Sequence, residues 1–319
     1  RGERGEIRQR VPPVRTRLLA GEVLVQVQEV RAGNVRGVVV APPAQTGGYH
    51  QGLEWSASWN DWDGAPQVNT LAFQVIPDDA ERFAALEANT LQAVGDLPDD
   101  YALQAAGDPQ LQVHWRPSSW IGYLGINSAH TPLGEPLVRQ AIAHAIDLHT
   151  LVENFYTPGD EIADQFLPPV IWGRDPDLSA YSYDPALSIS LLETAGYTDG
   201  FTTTLAYRNV WRPYQPDPTS IANQVSAYLQ AVGIQAEVIE YESGLFLDKW
   251  YSGELDLFLL GWGADYLHPD NFFSPLLCNP DILSFGPWDD VLCDRVAAAQ
   301  TEPDFDEQVA FYQSASRRV

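Results

Sequence analysis

One short segment joins residue types that could bind a ligand. Trp262, Asp265 and Tyr266 lie within Gly261 to Tyr266, directly after the mostly apolar run Leu255 to Leu260. In open α/β sheets, ligands bind beyond the carboxyl ends of the strands, so the sequence predicts binding chemistry here. An aromatic face there could form a rigid wall, and a carboxylate could accept hydrogen bonds from a ligand.

Enzyme chemistry has little support in the sequence. The six His are scattered, and the chain has no His-Glu-x-x-His, no Gly-x-Ser-x-Gly and no phosphate-binding loop. The 43 Asp and Glu could include a glycosidase pair, but so many acids favour a solvated acidic surface. Cys278 and Cys293 do not have the spacing of a zinc site. We therefore predict no catalytic residue, no metal and no cofactor.

Charge and hydropathy exclude further classes of protein. The net charge of -25 argues against a duplex nucleic-acid binder, because phosphate recognition needs clustered Lys and Arg. No apolar run approaches the roughly 18 residues of a membrane span. A length of 319 residues allows two domains. Residues 1–47 have a different, basic balance and little periodicity outside a partial alternation over 22–30, and we leave them unassigned.

Helix and strand patterns alternate from about Trp55 onward, which predicts an α/β architecture. Residues 71–75 form an alternating strand, after which Asp78 or Asp79 can cap a helix. The longest apolar stripe at helical spacing runs from Pro136 to about Phe155 and predicts one long helix packed on a core.

The second half of the chain repeats strand, helix, strand, helix, strand. Asp184 and Pro185 begin a helix that ends at Gly196. The strands and helices that follow are 201–207, a helix from Asp217 to Gly233, 234–238, 245–251 and 255–260. This order predicts a parallel or mixed sheet with right-handed crossovers.

Several ordered motifs from about residue 50 to the end resemble one family. They are Ile126-Asn127, Pro132-Leu133 followed by Val138 to Asp147, Tyr183-Asp184-Pro185 with Ala195-Gly196-Tyr197, Trp211 to Tyr214, Val232-Gly233-Ile234, and Gly261 to Asp265 followed by Pro269 to Phe273. Together they are similar to the family 5 solute-binding proteins of peptide and nickel ABC importers, most of all to the dipeptide-binding branch.

The resemblance implies the two-lobed periplasmic-binding-protein type II fold, with mixed sheets flanked by helices. A complete member is longer at both ends, so we expect this chain to be a fragment, incomplete at both ends. The family pattern assigns 48–124 to part of lobe I and 125–319 to lobe II, with the C-terminal return to lobe I beyond Val319.

The same resemblance implies four ligand-binding residues. Arg212 matches the position that holds the C-terminal carboxylate of a peptide, and Asp265 matches the acid that holds its free amino group. A guanidinium offers a planar fork of donors to a carboxylate, and a carboxylate suits an ammonium. Trp262 could form a wall of the pocket. Ser243 stands where dipeptide-binding relatives place a Trp, so the side-chain pocket is expected to be wider or differently shaped.

The resemblance also implies the function and its partners. We expect an extracytoplasmic, non-enzymatic component of an ABC transporter that binds di- or oligopeptides and delivers them to a membrane permease. It would be a monomer in the periplasm or outside the cell, with a lipid anchor as one option. A disulfide between Cys278 and Cys293 is expected from a similar pair in relatives. The alternatives are an oligosaccharide-binding or nickel-chelate-binding protein and, with less support, a glycoside-cleaving enzyme.

Overall fold

The first part of the chain forms a six-stranded mixed sheet. The computed structural model describes residues 21–27, 36–40, 53–56, 70–95, 97–156, 160–287 and 289–319. In chain order the strands are β1 (Gly21–Val27), β2 (Arg36–Val40), β3 (Leu53–Ser56), β4 (Thr70–Phe73), β5 (Ala93–Gly95) and β6 (Leu111–Pro117). Their order in the sheet is β3-β4-β2-β5-β1-β6. Thus β1 and β2 lie within residues 1–47, the segment that we left unassigned from the sequence.

Two helices pack beside this sheet. They are α1 (Asp79–Glu87) and α2 (Asp99–Gly107). Of the two caps that the sequence allowed, Asp78 and Asp79, the structure uses Asp78, which accepts a hydrogen bond from the main-chain nitrogen of Glu81 at 2.8 Å. Phe83, Leu86 and Val94 belong to the small core between these helices and the sheet.

A four-stranded sheet organises the rest of the molecule. Its strands are β7 (Trp120–Ile126), β8 (Phe201–Arg208), β9 (Ile234–Tyr241) and β10 (Leu257–Gly263), in the order β7-β10-β8-β9. β8 runs parallel to β9 and to β10, whereas β7 pairs antiparallel with β10. The predicted alternation of strands and helices from residue 201 to residue 263 is confirmed, and the sheet is mixed.

Helices cover both faces of this sheet. They are α3 (Pro136–Ala145), α4 (Leu148–Phe155), α5 (Pro185–Thr194), α6 (Pro218–Ala231), α7 (Ser243–Ser252), α8 (Asp270–Leu277), α9 (Asp290–Thr301) and α10 (Phe305–Ser316). Along β10, Leu257 and Leu259 join one core, while Phe258 and Leu260 join another on the opposite face. Burial on both faces explains why β10 reads as a continuous apolar run.

The single helix predicted over residues 136–155 is wrong. The chain leaves the helical conformation at Ile146, and Asp147 then caps α4 by accepting from the main-chain nitrogen of Thr150 at 3.1 Å. A capping aspartate offers the backbone an alternative to a continuous helix, which is why the apolar stripe alone misled the prediction. The caps predicted at Asp184 and Asp217 are confirmed, each followed by proline at the first helical position.

The chain passes from the first sheet to the second between Pro117 and Trp120. The lobe boundary taken from the family pattern, at residues 124 and 125, falls inside β7 and stays a prediction. Cys278, at the end of α8, and Cys293, in α9, form a disulfide with a sequence separation of 15. Among the described helices, none is both long and apolar enough to cross a membrane.

Candidate functional site

The candidate site lies at one edge of the four-stranded sheet. Because β8, β9 and β10 are parallel, their carboxyl ends meet at this edge, and antiparallel β7 contributes its amino end, with Trp120 opposite Gly263. Three connections leave the sheet here, namely 209–217 after β8, Glu242 after β9 and 264–269 after β10. The edge is therefore where an α/β sheet of this kind binds ligands.

Two glycines that face each other on β7 and β10 allow the connection 209–217 to pack on these strands. Gly122 in β7 faces Gly261 in β10. A Cβ atom at Gly122 would lie 2.5 Å from the carbonyl oxygen of Tyr214, and one at Gly261 would lie 2.3 Å from its ring. The Tyr214 ring also contacts Trp120, with centroids 5.7 Å apart, and the Tyr156 hydroxyl donates to the Tyr214 carbonyl at 3.1 Å. The connection that carries Arg212 is thus anchored on the sheet.

Arg212 lies on a tight turn two residues before Tyr214. Main-chain hydrogen bonds of 3.3 and 2.9 Å between Arg212 and Gln215 close the turn, and Nη1 of Arg212 donates to the carbonyl of Trp211 at 2.7 Å. Burial lowers the pKa of Arg212, and the nearby Arg208 guanidinium lowers it further, while Tyr214 acts in the opposite direction. No carboxylate among the described residues pairs with this guanidinium.

Ser243 begins α7 on the other side of the same edge. Its hydroxyl accepts a hydrogen bond from Nη1 of Arg208 at 3.0 Å. Glu242 precedes it as the N-cap and accepts from the main-chain nitrogens of Gly244 and Leu245 at 2.8 and 3.2 Å. The carboxylate of Glu242 is therefore engaged with the helix, and Ser243 contributes a small hydroxyl to the site.

Arg208, the last residue of β8, is a site residue that the sequence analysis missed. It is only 7% exposed, its Nη2 lies 3.4 Å from the Tyr214 hydroxyl, and its guanidinium lies 5.9 Å from the ring centroid of Phe246. Within the described part of the chain it has no ion pair with a carboxylate. Its position at the carboxyl end of a predicted strand was the one signal that could have revealed it.

Two further polar groups near Arg208 and Tyr214 are buried and make no hydrogen bond within the described part of the chain. They are the hydroxyl of Tyr123 in β7 and Nε2 of Gln215. Burial raises the pKa of Tyr123, and Tyr214 adds to this effect while Arg208 opposes it. Buried polar groups are nearly always paired, so orphaned groups at a site edge indicate a place that needs a partner.

Trp262 and Asp265 are positioned by one buried amide. The side-chain oxygen of Asn271 in α8 accepts from the Trp262 indole at 3.2 Å and from the main-chain nitrogen of Asp265 at 3.0 Å. Trp262 is half-buried against the cores around α7 and α8, whereas Asp265 is exposed. Both line a shallow depression of about 480 Å³. Because β10 extends to Gly263, the connecting segment starts only at Ala264, later than the sequence predicted.

The four predicted residues form two pairs. Arg208 contacts Ser243 directly and lies close to Arg212, while Asn271 links Trp262 to Asp265. The pairs share one sheet edge, because Tyr214 packs on Gly261, the residue before Trp262. Arg212 and Asp265 put opposite charges there, and neither has an ion-pair partner among the described residues. In the same residues, no group of three His, Cys, Asp or Glu could hold a metal.

Comparison with known proteins gives a consistent family. Residues 52–283 match the model for the bacterial extracellular solute-binding proteins, family 5, middle region. The chain is 31% identical to the dipeptide-binding protein of Escherichia coli (strain K12) over 263 residues, covering 80% of this chain and 48% of that protein. It is 30% identical to heme-binding protein A of Haemophilus influenzae, covering 73% and 42%. The chain thus spans about half the length of the curated relatives it matches.

Solved structures agree with the fold. The structure of HbpA2 from Haemophilus parasuis matches with a TM-score of 0.74 and 28% identity, covering 86% of this chain and 55% of that one. The dipeptide-binding protein from Pseudoalteromonas sp. SM9913, in complex with Met-Leu, matches with a TM-score of 0.65 and 26% identity, covering 84% and 54%. The two-lobed type of fold predicted from the sequence is confirmed.

Proposed function

The chain belongs to family 5 of the bacterial extracellular solute-binding proteins, and we propose that it is part of the peptide-binding component of an ABC importer. In this proposal the protein captures di- or oligopeptides between two lobes, delivers them to a membrane permease and catalyses no reaction. The names of its relatives support a peptide ligand, since the Escherichia coli protein is a dipeptide-binding protein and the Pseudoalteromonas protein was solved with Met-Leu.

The observation that carries the proposal is the pair of opposite charges at one sheet edge. Arg212 and Asp265 lie in the connections that follow the adjacent parallel strands β8 and β10, and neither is neutralised by a described residue. A peptide with free termini carries one carboxylate and one ammonium. Arg212 would bind the carboxylate through its planar fork, and Asp265 would accept hydrogen bonds from the ammonium. Charged groups that end up buried need such partners.

Lobe closure would complete the site. Asp265 is exposed and Arg212 is half-buried, and the indole of Trp211 beside Arg212 is 61% exposed. A second lobe closing over this edge would remove water from the two charges and strengthen their interaction with the peptide. Trp262, held by Asn271, would form a fixed wall, and Ser243 would leave room for a side chain.

The partners and location follow from the same family. We propose that the protein acts outside the cytoplasm, in the periplasm or at the cell surface, as a monomer that docks on a permease. The disulfide between Cys278 and Cys293 supports an oxidising compartment. A lipid anchor is compatible with this proposal and is not required by it.

Native mass spectrometry of the full-length protein as purified tests the proposal. We expect mass increments that correspond to short peptides, because two-lobed proteins that close around a ligand retain it during purification. Increments spaced by a hexose would overturn the proposal in favour of oligosaccharide uptake. A heme mass accompanied by visible absorbance would overturn it in favour of a heme-binding protein. If the protein carries nothing, calorimetric titration with defined dipeptides decides, and a lack of binding would contradict the proposal.

A further inference from the structure

The buried Arg208 differs from the other described arginines in its acceptors. Arg174, Arg317 and Arg318 each pair with an aspartate. Arg139 and Arg295 donate to main-chain carbonyl oxygens. Arg208 instead donates, among the described residues, to two hydroxyl groups only, of Ser243 at 3.0 Å and of Tyr214 at 3.4 Å. The chain has 43 acidic and 18 basic residues, so a shortage of acids does not explain why this buried arginine has no acidic partner among the described residues.

Those two contacts leave most of the guanidinium without an acceptor. A guanidinium has five N–H donors, and the two hydroxyl groups engage two of them. Arg208 is 7% exposed, so little of the residue faces water. A buried charge is costly unless it is paired and hydrogen-bonded. The nearby Tyr123 hydroxyl, also buried without a partner, adds another donor to the same place.

Arg208 and Arg212 converge on Tyr214. Arg208 reaches the Tyr214 hydroxyl, and Arg212 lies in the turn two residues before Tyr214. Two positive charges held close together repel each other unless an anion lies between or beside them. Each is attached firmly, Arg208 through β8 and Arg212 through the turn that packs on Gly122 and Gly261.

We propose that Arg208 binds a second carboxylate of the ligand, the side chain of an acidic C-terminal residue, beside the terminal carboxylate at Arg212. This inference rests on the proposed peptide-binding function and specifies its substrate class as peptides that end in Asp or Glu. Arg208 would act as a specificity-determining residue. Ser243 both leaves space for the acidic side chain and holds the guanidinium in the orientation needed to bind it.

Calorimetric titration of the full-length protein with three dipeptides tests this inference. Ala-Glu should bind about tenfold or more tightly than Ala-Gln, which has the same shape without the charge. Ala-Glu should also bind more tightly than Glu-Ala, which has the same net charge and composition but places the acid at the other end. The Arg208→Met variant should lose both preferences.

Matched variants separate the possible results. Arg318→Met removes the same charge from the partly exposed ion pair with Asp289, which is not among the residues of the candidate site, and should retain the preference for Ala-Glu. Equal affinities of the wild-type protein for the three peptides would overturn the inference and leave the peptide-binding function intact. No binding of any peptide would overturn the proposed function and the inference with it. The affinities of the wild-type protein for the three peptides test the inference even if Arg208→Met fails to fold.

Discussion

At the end of the four-stranded sheet where β7 finishes and β10 begins, the polar atoms of the buried Asn127 side chain are all paired. Its nitrogen donates to the carbonyls of Gly253 and Leu255 at 2.9 and 3.1 Å, and its oxygen accepts from the main-chain nitrogen of Ala129 at 3.1 Å. Asp256, beside it, accepts from His130 at 2.7 Å. At the opposite end of the same sheet, Arg208, Arg212 and Asp265 have no ion-pair partners among the described residues.

From this difference we expect one end of the sheet to contribute mainly to the stability of the fold and the other end mainly to ligand binding. A fully paired polar network holds its strands in register and leaves nothing for a ligand to add. A buried charge without an ion-pair partner, such as Arg208, and an orphaned hydroxyl are by contrast costly in the free protein, and a ligand that supplies the missing partner reduces this cost. Substitutions at the two ends should therefore change different properties of the protein.

The largest expected effect is on stability, at Asn127. The Asn127→Ala variant leaves one buried carbonyl, one partly buried carbonyl and one main-chain N–H without this partner, so we expect the free energy of unfolding to fall by about 4 kcal/mol. Chemical denaturation measures this loss. The control Asn209→Ala, at an exposed residue, should change the free energy by less than about 0.5 kcal/mol. Equal effects of both variants would contradict the claim that the hydrogen bonds of Asn127 stabilise this end of the sheet.

The next effect is on binding, at Arg212. We expect Arg212→Met to weaken the binding of a free dipeptide about 100-fold, roughly 3 kcal/mol, because the peptide carboxylate would lose its charged partner in a desolvated site. Calorimetry measures the change, and Arg318→Met controls for the loss of one positive charge. Affinity like that of the wild type would show that Arg212 does not hold the carboxylate.

A smaller, pH-dependent effect is expected at Asp256. Burial alone raises the pKa of Asp256, but hydrogen bonds from His130 and Thr204 outweigh it, so the folded-state pKa is lowered. A lowered pKa stabilises the folded protein above the unfolded-state value of about 3.9, and this contribution disappears as the pH falls through the folded-state pKa.

Denaturation at several pH values tests that effect. The Asp256→Asn variant should be less stable than the wild type by about 1 to 2 kcal/mol at pH 7, and the gap should close below about pH 4. Asp248→Asn, at an exposed residue with no hydrogen bond to a described side chain, should show little gap at any pH. A gap that stays constant with pH would mean that the charge of Asp256 contributes nothing.

Local signals in the sequence predicted much of the fold. The caps at Asp78, Asp184 and Asp217 were readable because each depends on a few neighbouring residues. The break between α3 and α4 was missed because the cap at Asp147 lies inside an unbroken apolar stripe. The sequence could not predict that β7 is an antiparallel edge strand, since this depends on pairing between residues more than 130 apart in the chain.

The candidate site was only partly predictable. Arg212 and Asp265 came from motifs matched to a family, and their ligand contacts stay predictions. Arg208 was missed because its distinguishing property is that no acid in the described part of the chain pairs with it, which no sequence pattern records. The same holds for the orphaned hydroxyl of Tyr123, whose neighbours come from distant parts of the chain.

The most direct test of the central claim compares free and N-acetylated forms of one dipeptide on the wild type and on Asp265→Asn. Calorimetry of the full-length protein gives the four affinities. If Asp265 holds the peptide amino group, the substitution should weaken binding of the free peptide about 100-fold and binding of the acetylated peptide less than about threefold. Equal losses for the two peptides would contradict the claim that the unpaired charges at this edge bind the peptide termini.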